Sequence, residues 1–154
     1  MISLYFMIKI AFWYYRRVKG IQRKTVVEQM GVRRKKTRDA EVKRILGEYD
    51  LEFPSFKLMD TIVTKYNTLR KLRDALDSKA ITSKELVLTY VYRAATIGMK
   101  LNALADVMFK NAIKMAEECD KELEKGQSRG FLHGIPISLK EQILVKDTVC
   151  TLGI

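Results

Sequence analysis

The residues best placed to do chemistry cluster near the end of the chain, in GFLHGIPISLKEQILVKDTVCTLGI from Gly130 to Ile154. Lys140 closes a run of period two, in which Ile135, Ile137 and Leu139 point one way and Pro136, Ser138 and Lys140 the other, the signature of an extended strand. A lysine there can be an edge charge or the partner of a buried carboxylate, and the pattern alone favours that reading. Desolvated, it becomes a base instead, because burial disfavours the charged form. To accept a proton near pH 7 its pKa must fall from about 10.4 by roughly 3 units, about 4 kcal/mol. Glu141 can orient local backbone or pair with a cation. His133, the one histidine, reads as a loop residue with no partner at zinc spacing. Cys119 and Cys150 lie far apart, so neither a disulfide framework nor a metal site is expected, and a reducing compartment fits best. No motif calls for a cofactor.

The elements that would position this segment are mostly helical. Gly130 and Gly134 bound turns ahead of it, and Pro54 separates it from an N-terminal arm. NTLRKLRDALDSKA puts Leu69, Leu72 and Leu76 on one stripe of a short amphipathic helix. AITSKELVLTYVYRAATIGMK is better marked. Thr82 and Glu85 have capping-box spacing, Leu86, Tyr90, Ala94 and Ile97 line a face widened by Val87 and Val91, and Gly98 is placed to stop the helix. LNALADV suits either a strand or a helix start. Residues 107–125 read as a helix burying Met108, Ile113, Ala116 and Cys119 or Leu123, ended by Gly126, so Cys119 is expected to act as a small buried hydrophobe.

Charge divides the chain. Residues 1–44 hold 13 Lys and Arg against 3 Asp and Glu, so 10 of the 11 net positive charges belong to the arm. Its first 17 residues, MISLYFMIKIAFWYYRR, are apolar and aromatic up to Arg16 and Arg17. The apolar part would make a helix roughly 22 Å long against a hydrocarbon core of about 30 Å, with Lys9 costing roughly 2.5–3.5 kcal/mol at its middle. Its aromatic residues suit the headgroup region, and the basic tract behind them suits anionic lipid. The expectation is a membrane-associated helix over 1–17, a basic helical arm or linker over 18–53, and an incomplete domain over 54–154. Nucleic acid is a poorer partner for the charge, since no aromatic interleaving or recognition motif accompanies it.

The stretch Gly134-Ile135-Pro136-Ile137-Ser138-Leu139-Lys140-Glu141 resembles the lysine motif of the amidase signature family of serine hydrolases. Upstream, ITSKELVLTYVYRAATIGMKLNALADV looks like that family's first long helix and following strand, and the resemblance covers about residues 68–154. It implies an α/β fold, a mixed sheet flanked by helices, of which this segment supplies outer helices and about two strands. It also implies a Lys–cis-Ser–Ser triad with Lys140 as base. Both serines would lie in a later Gly/Ser-rich segment, which makes this chain an N-terminal piece, and Ser138 matches no triad position. Glu141 where most members carry aspartate, Thr151-Leu152-Gly153, and the apolar-basic arm are similar to the membrane-bound fatty-acid amide hydrolases.

Three functions follow as expectations. The first is an amidase segment on the cytoplasmic face of a membrane, acting in its full-length form on carboxamides, some of them lipid-derived. The second is a non-catalytic membrane-surface protein from a truncated paralogue, and the third an amidotransferase A-type subunit in the cytoplasm.

Overall fold

The computed structural model of the chain describes residues 2–146 and Thr148. Five α-helices follow in order: α1 (Ile2–Glu48), α2 (Phe56–Thr64), α3 (Leu69–Asp77), α4 (Ser83–Arg93) and α5 (Phe109–Glu124). Among the described residues the segment is mostly helical, as expected, and contains no strand. Thr151-Leu152-Gly153 and Cys150 lie outside the described residues.

α4 is the centre of the fold because its start is fully capped and it is buried on two sides. Thr82 Oγ1 accepts the Glu85 N–H at 3.1 Å while Glu85 Oε2 accepts the Thr82 N–H at 2.8 Å, the capping box that the spacing predicts. Asp120 on α5 accepts from the two amides between them, Ser83 N–H at 2.7 Å and Lys84 N–H at 2.9 Å. A carboxylate at a helix N-terminus also meets the positive end of the dipole, so this contact locks α4 to α5 electrostatically as well. On one side Val87, Leu88, Val91 and Ala95 pack with Val42 and Ile45 of α1 and with Phe109, Ile113 and Ala116 of α5. On the other, Leu86 joins Ile62 of α2, Leu72, Ala75 and Leu76 of α3, and Ile81.

This double burial corrects the stripe expected for α4. Tyr90 and Ile97 are exposed, whereas Leu88 and Thr89 are buried, because the helix hides a wide sector rather than a single face. Thr89 satisfies its hydroxyl on the Glu85 carbonyl at 2.8 Å. The helix also passes Gly98: a π-turn spans Ala94–Gly98, and the chain turns at Asn102, whose φ is +50°. The Asn102 and Ala103 N–H groups donate to Met99 and Gly98 carbonyls at 3.1 and 2.9 Å, a Schellman closure with asparagine in the left-handed position. α5 ends at the expected glycine, Gly126 at φ +71°, by the same pair of bonds to Leu123 and Glu122. Cys119 is buried, a small hydrophobe as the sequence suggests.

The N-terminal arm is one continuous helix of 47 residues, the helical alternative of the two expected beyond Arg17. Its docking stripe is Arg34, Arg38, Val42, Ile45 and Tyr49, spaced at three to four residues, and ahead of Arg34 nearly every described side chain is exposed. Trp13, for example, keeps 58% of its surface. No helix among the described residues is long and apolar enough to cross a membrane. The turn that follows α1 is tied to α4 and α5 by Lys84, whose ammonium reaches Glu52 at 2.6 Å and Glu117 at 2.9 Å; these bonds raise its pKa above the ordinary lysine value.

Candidate functional site

The lysine segment leaves α5 through Gly126 and is held by a bidentate ion pair, Arg129 to Glu122 at 2.7 and 2.5 Å. Two turns follow, with His133 N–H on the Gly130 carbonyl and Ile135 N–H on the Leu132 carbonyl, both at 3.0 Å. The glycines expected to bound these turns both have positive φ, +117° at Gly130 and +77° at Gly134.

Between them His133 is not a surface loop residue: it is 4% exposed and saturated. Its Nδ1 accepts the Arg129 N–H at 3.1 Å and its Nε2 lies 3.0 Å from the Cys119 carbonyl, an obligate acceptor. Those two partners fix the neutral tautomer with the proton on Nε2. The His133 carbonyl accepts from Arg73 Nη1 at 2.6 Å, and Arg73 Nη2 forms an ion pair with Asp77 at 2.7 Å. One loop residue thus ties α3 to α5. A lone histidine beside Gly134 carried no signal for this in the sequence, because both of its partners are main-chain groups.

Gly134 sits against the start of α4. A Cβ added there would fall 2.1 Å from Ser83 Oγ and 3.7 Å from Cys119 Cβ, so only glycine allows this approach. Ser83 is fully buried and its hydroxyl lacks a hydrogen-bond partner among the described residues. Ile135 then packs on the cluster formed by α2, α3 and α4.

Beyond Ile135 the expected strand is absent. Residues 135–140 have no regular structure, Ile137 and Leu139 are 64% and 51% exposed, and Ser138 and Lys140 are exposed as well. The alternation needs a neighbouring strand to bury one face and to pair its amides, and none is described here; Pro136 also removes one donor. LNALADV, open between strand and helix from sequence, is likewise turn and coil. A turn closes the segment, with Ile143 N–H on the Lys140 carbonyl at 2.9 Å.

Glu141 does pair with a cation, Arg34 Nη1 at 3.3 Å, and the same guanidinium reaches Asp106 at 3.4 Å through Nε. One turn along α1, Arg38 is buried and donates to the Leu104 carbonyl at 2.5 Å. These two arginines, read from sequence as part of a lipid-facing tract, instead hold the body. No group of three or more metal-binding side chains gathers among the described residues.

Residues 85–154 match the family described as Amidase. Amidase 1 of Gibberella moniliformis is 30% identical over 117 residues, which is 75% of this chain and 21% of that protein. A probable amidase of Saccharomyces cerevisiae is 34% identical over 88 residues, 57% of this chain and 16% of its own. The A-type subunit of the glutamyl-tRNA(Gln) amidotransferase of Clostridium kluyveri is 35% identical over 80 residues, 52% and 16% respectively. The chain spans about a fifth or less of the length of these curated relatives. No solved structure matches. Residues 85–154 are therefore similar to amidase-family sequence.

Proposed function

We propose that this chain is the N-terminal segment of an amidase that hydrolyses carboxamides, with Lys140 as the general base of a Lys–Ser–Ser triad. The observation that carries the reading is the lysine motif itself, Gly134 to Glu141, lying inside the amidase-family match and anchored at its first residue by the glycine contact with Ser83. A lysine base has to be desolvated, and Lys140 is at the surface of these 154 residues. The exposed Ile137, Leu139, Ile143 and Leu144 beside it form an apolar face over which further chain would pack, and such packing would bury the ammonium.

The arm supports placement at a membrane. Residues 7–15 are exposed on every side, apolar and aromatic apart from Lys9, and end at Arg16 and Arg17, which stack over Phe12 at 4.8 Å and Trp13 at 5.1 Å. Cations over aromatic rings at the edge of an apolar run suit a headgroup boundary. Fatty-acid amides delivered from that boundary are the substrate class this arrangement favours.

The test uses the longest native polypeptide that carries these residues, assayed for ammonia or amine release from a panel of carboxamides that includes long-chain ones. Lys140→Ala is expected to lower kcat on the order of 10³-fold, the scale of a lost general base. Turnover unchanged by Lys140→Ala refutes the role. The 154-residue chain alone is expected to turn over none of them, and Lys140-dependent turnover by it would refute the segment reading. A second reading, an amidotransferase A-type subunit, is favoured by the name of the Clostridium relative, and predicts release of ammonia from glutamine with no preference for acyl length.

A further inference from the structure

The arm and the lysine segment meet at one guanidinium. Arg34 faces Asp106 on the connection between α4 and α5, and Glu141, the residue after Lys140, at 3.4 and 3.3 Å. Neither carboxylate lies on a helix, so neither segment is placed by its own secondary structure. Asp106 is itself oriented, its other oxygen accepting the Val107 N–H at 2.9 Å. The three side chains keep 17%, 31% and 23% of their surface, so solvent and salt screen these pairs less than exposed ones. The planar fork of arginine presents donors in two directions at once, which the point charge of lysine does not.

We infer that Arg34 is a positioning residue for Lys140: it clamps the peptide around Glu141 to α1, so the arm sets where the lysine stands. The inference rests on Lys140 being the base. Without the clamp, the segment from Ile137 to Gln142 has no helix or strand of its own to fix its course. The amidase-family match begins at residue 85, so the clamp is contributed by sequence outside it.

Hydrogen exchange and kinetics together decide the matter. In the 154-residue chain, Arg34→Ala is expected to speed exchange of the Ile143 amide, which is bonded to the Lys140 carbonyl, on the order of fivefold and leave amides of α4 and α5 unchanged. Glu141→Gln should do the same, and the double variant should be no faster than either. Arg34→Lys should not rescue. In the longest native polypeptide, Arg34→Ala should lower kcat with KM unchanged, since a displaced base weakens the transition state rather than substrate binding. Unchanged exchange overturns the inference and leaves the role of Lys140 standing. Faster exchange with unchanged kcat overturns it too, reducing Arg34 to a structural tie. If Lys140→Ala retains full turnover, the reading of Lys140 falls, and the positioning role falls with it whatever the exchange shows.

Discussion

Gly134→Ala tests the contact that anchors the lysine segment. The alanine Cβ would lie 2.1 Å from Ser83 Oγ and 3.0 Å from Ser83 Cβ, and Ser83 is the first residue of α4, its amide already bonded to Asp120. The Oγ can move only by turning about χ1 within a buried junction, and Ser83 Cβ can move only with its backbone. Holding a non-glycine residue at φ +77° costs about 1–2 kcal/mol, and forcing volume into a packed junction about 1–3 more. We expect about 3 kcal/mol in total. Gly126→Ala is the control, because its φ of +71° is nearly the same and nothing lies within 4 Å of the added atom, leaving about 1 kcal/mol of conformational cost. Urea unfolding of the two variants, followed by circular dichroism at constant slope, reads the difference as the steric part alone. Adding Ser83→Gly to Gly134→Ala should recover most of that part, less up to about 1 kcal/mol for a glycine in the helix. If Gly134→Ala proves no costlier than Gly126→Ala, the close approach to α4 is wrong.

Other expectations follow from single contacts. Asp120→Ala exposes the Ser83 and Lys84 amides and should cost about 1–2 kcal/mol in chemical denaturation, with Asp120→Asn losing less. His133→Leu removes the acceptor of the Arg129 N–H and the second donor to the Cys119 carbonyl, and should destabilise by about 1–3 kcal/mol, more than its gain in apolarity suggests. The Arg129 hydrogen bonds hold the Glu122 carboxyl below its ordinary pKa, so this pair contributes fully above the unfolded carboxylate range and is lost as pH falls through the lower folded value; Glu122→Gln should flatten the acid limb of a stability titration. Lys140→Ala, at an exposed position, should change unfolding stability by no more than about 0.5 kcal/mol, so that lost turnover would be chemical in origin.

Local signals in the sequence translated well into structure wherever they were self-contained. The Thr82–Glu85 box, the Gly126 stop and the turn glycines each depend on residues within a few positions, and all appear as expected. What escaped were features created by a second element. Arg34 and Arg38 looked like two more charges in a basic run, and only the position of the α4–α5 connection makes them ties to the body. The buried sector of α4 widened because two clusters press on it, and the expected strand lacks a neighbour to pair with among the described residues. The candidate site was legible as a motif, while the burial that its lysine needs is not supplied by the described residues.

The unbroken course of α1 has a geometric consequence. From Arg17 to Arg34 the helix advances about 26 Å, at about 1.5 Å and about 100° per residue. Whatever grips the aromatic tip therefore fixes both the height and the compass bearing of the lysine segment, as a keyed shaft fixes a hand on a dial. Inserting one alanine after Glu28 should swing the tip by about 100° relative to the body, whereas inserting seven, close to two full turns, should restore the bearing and change only the reach. Gly20 and Gly31 are the points where this shaft is most easily bent, since each weakens the helix by roughly 0.5–1 kcal/mol relative to alanine.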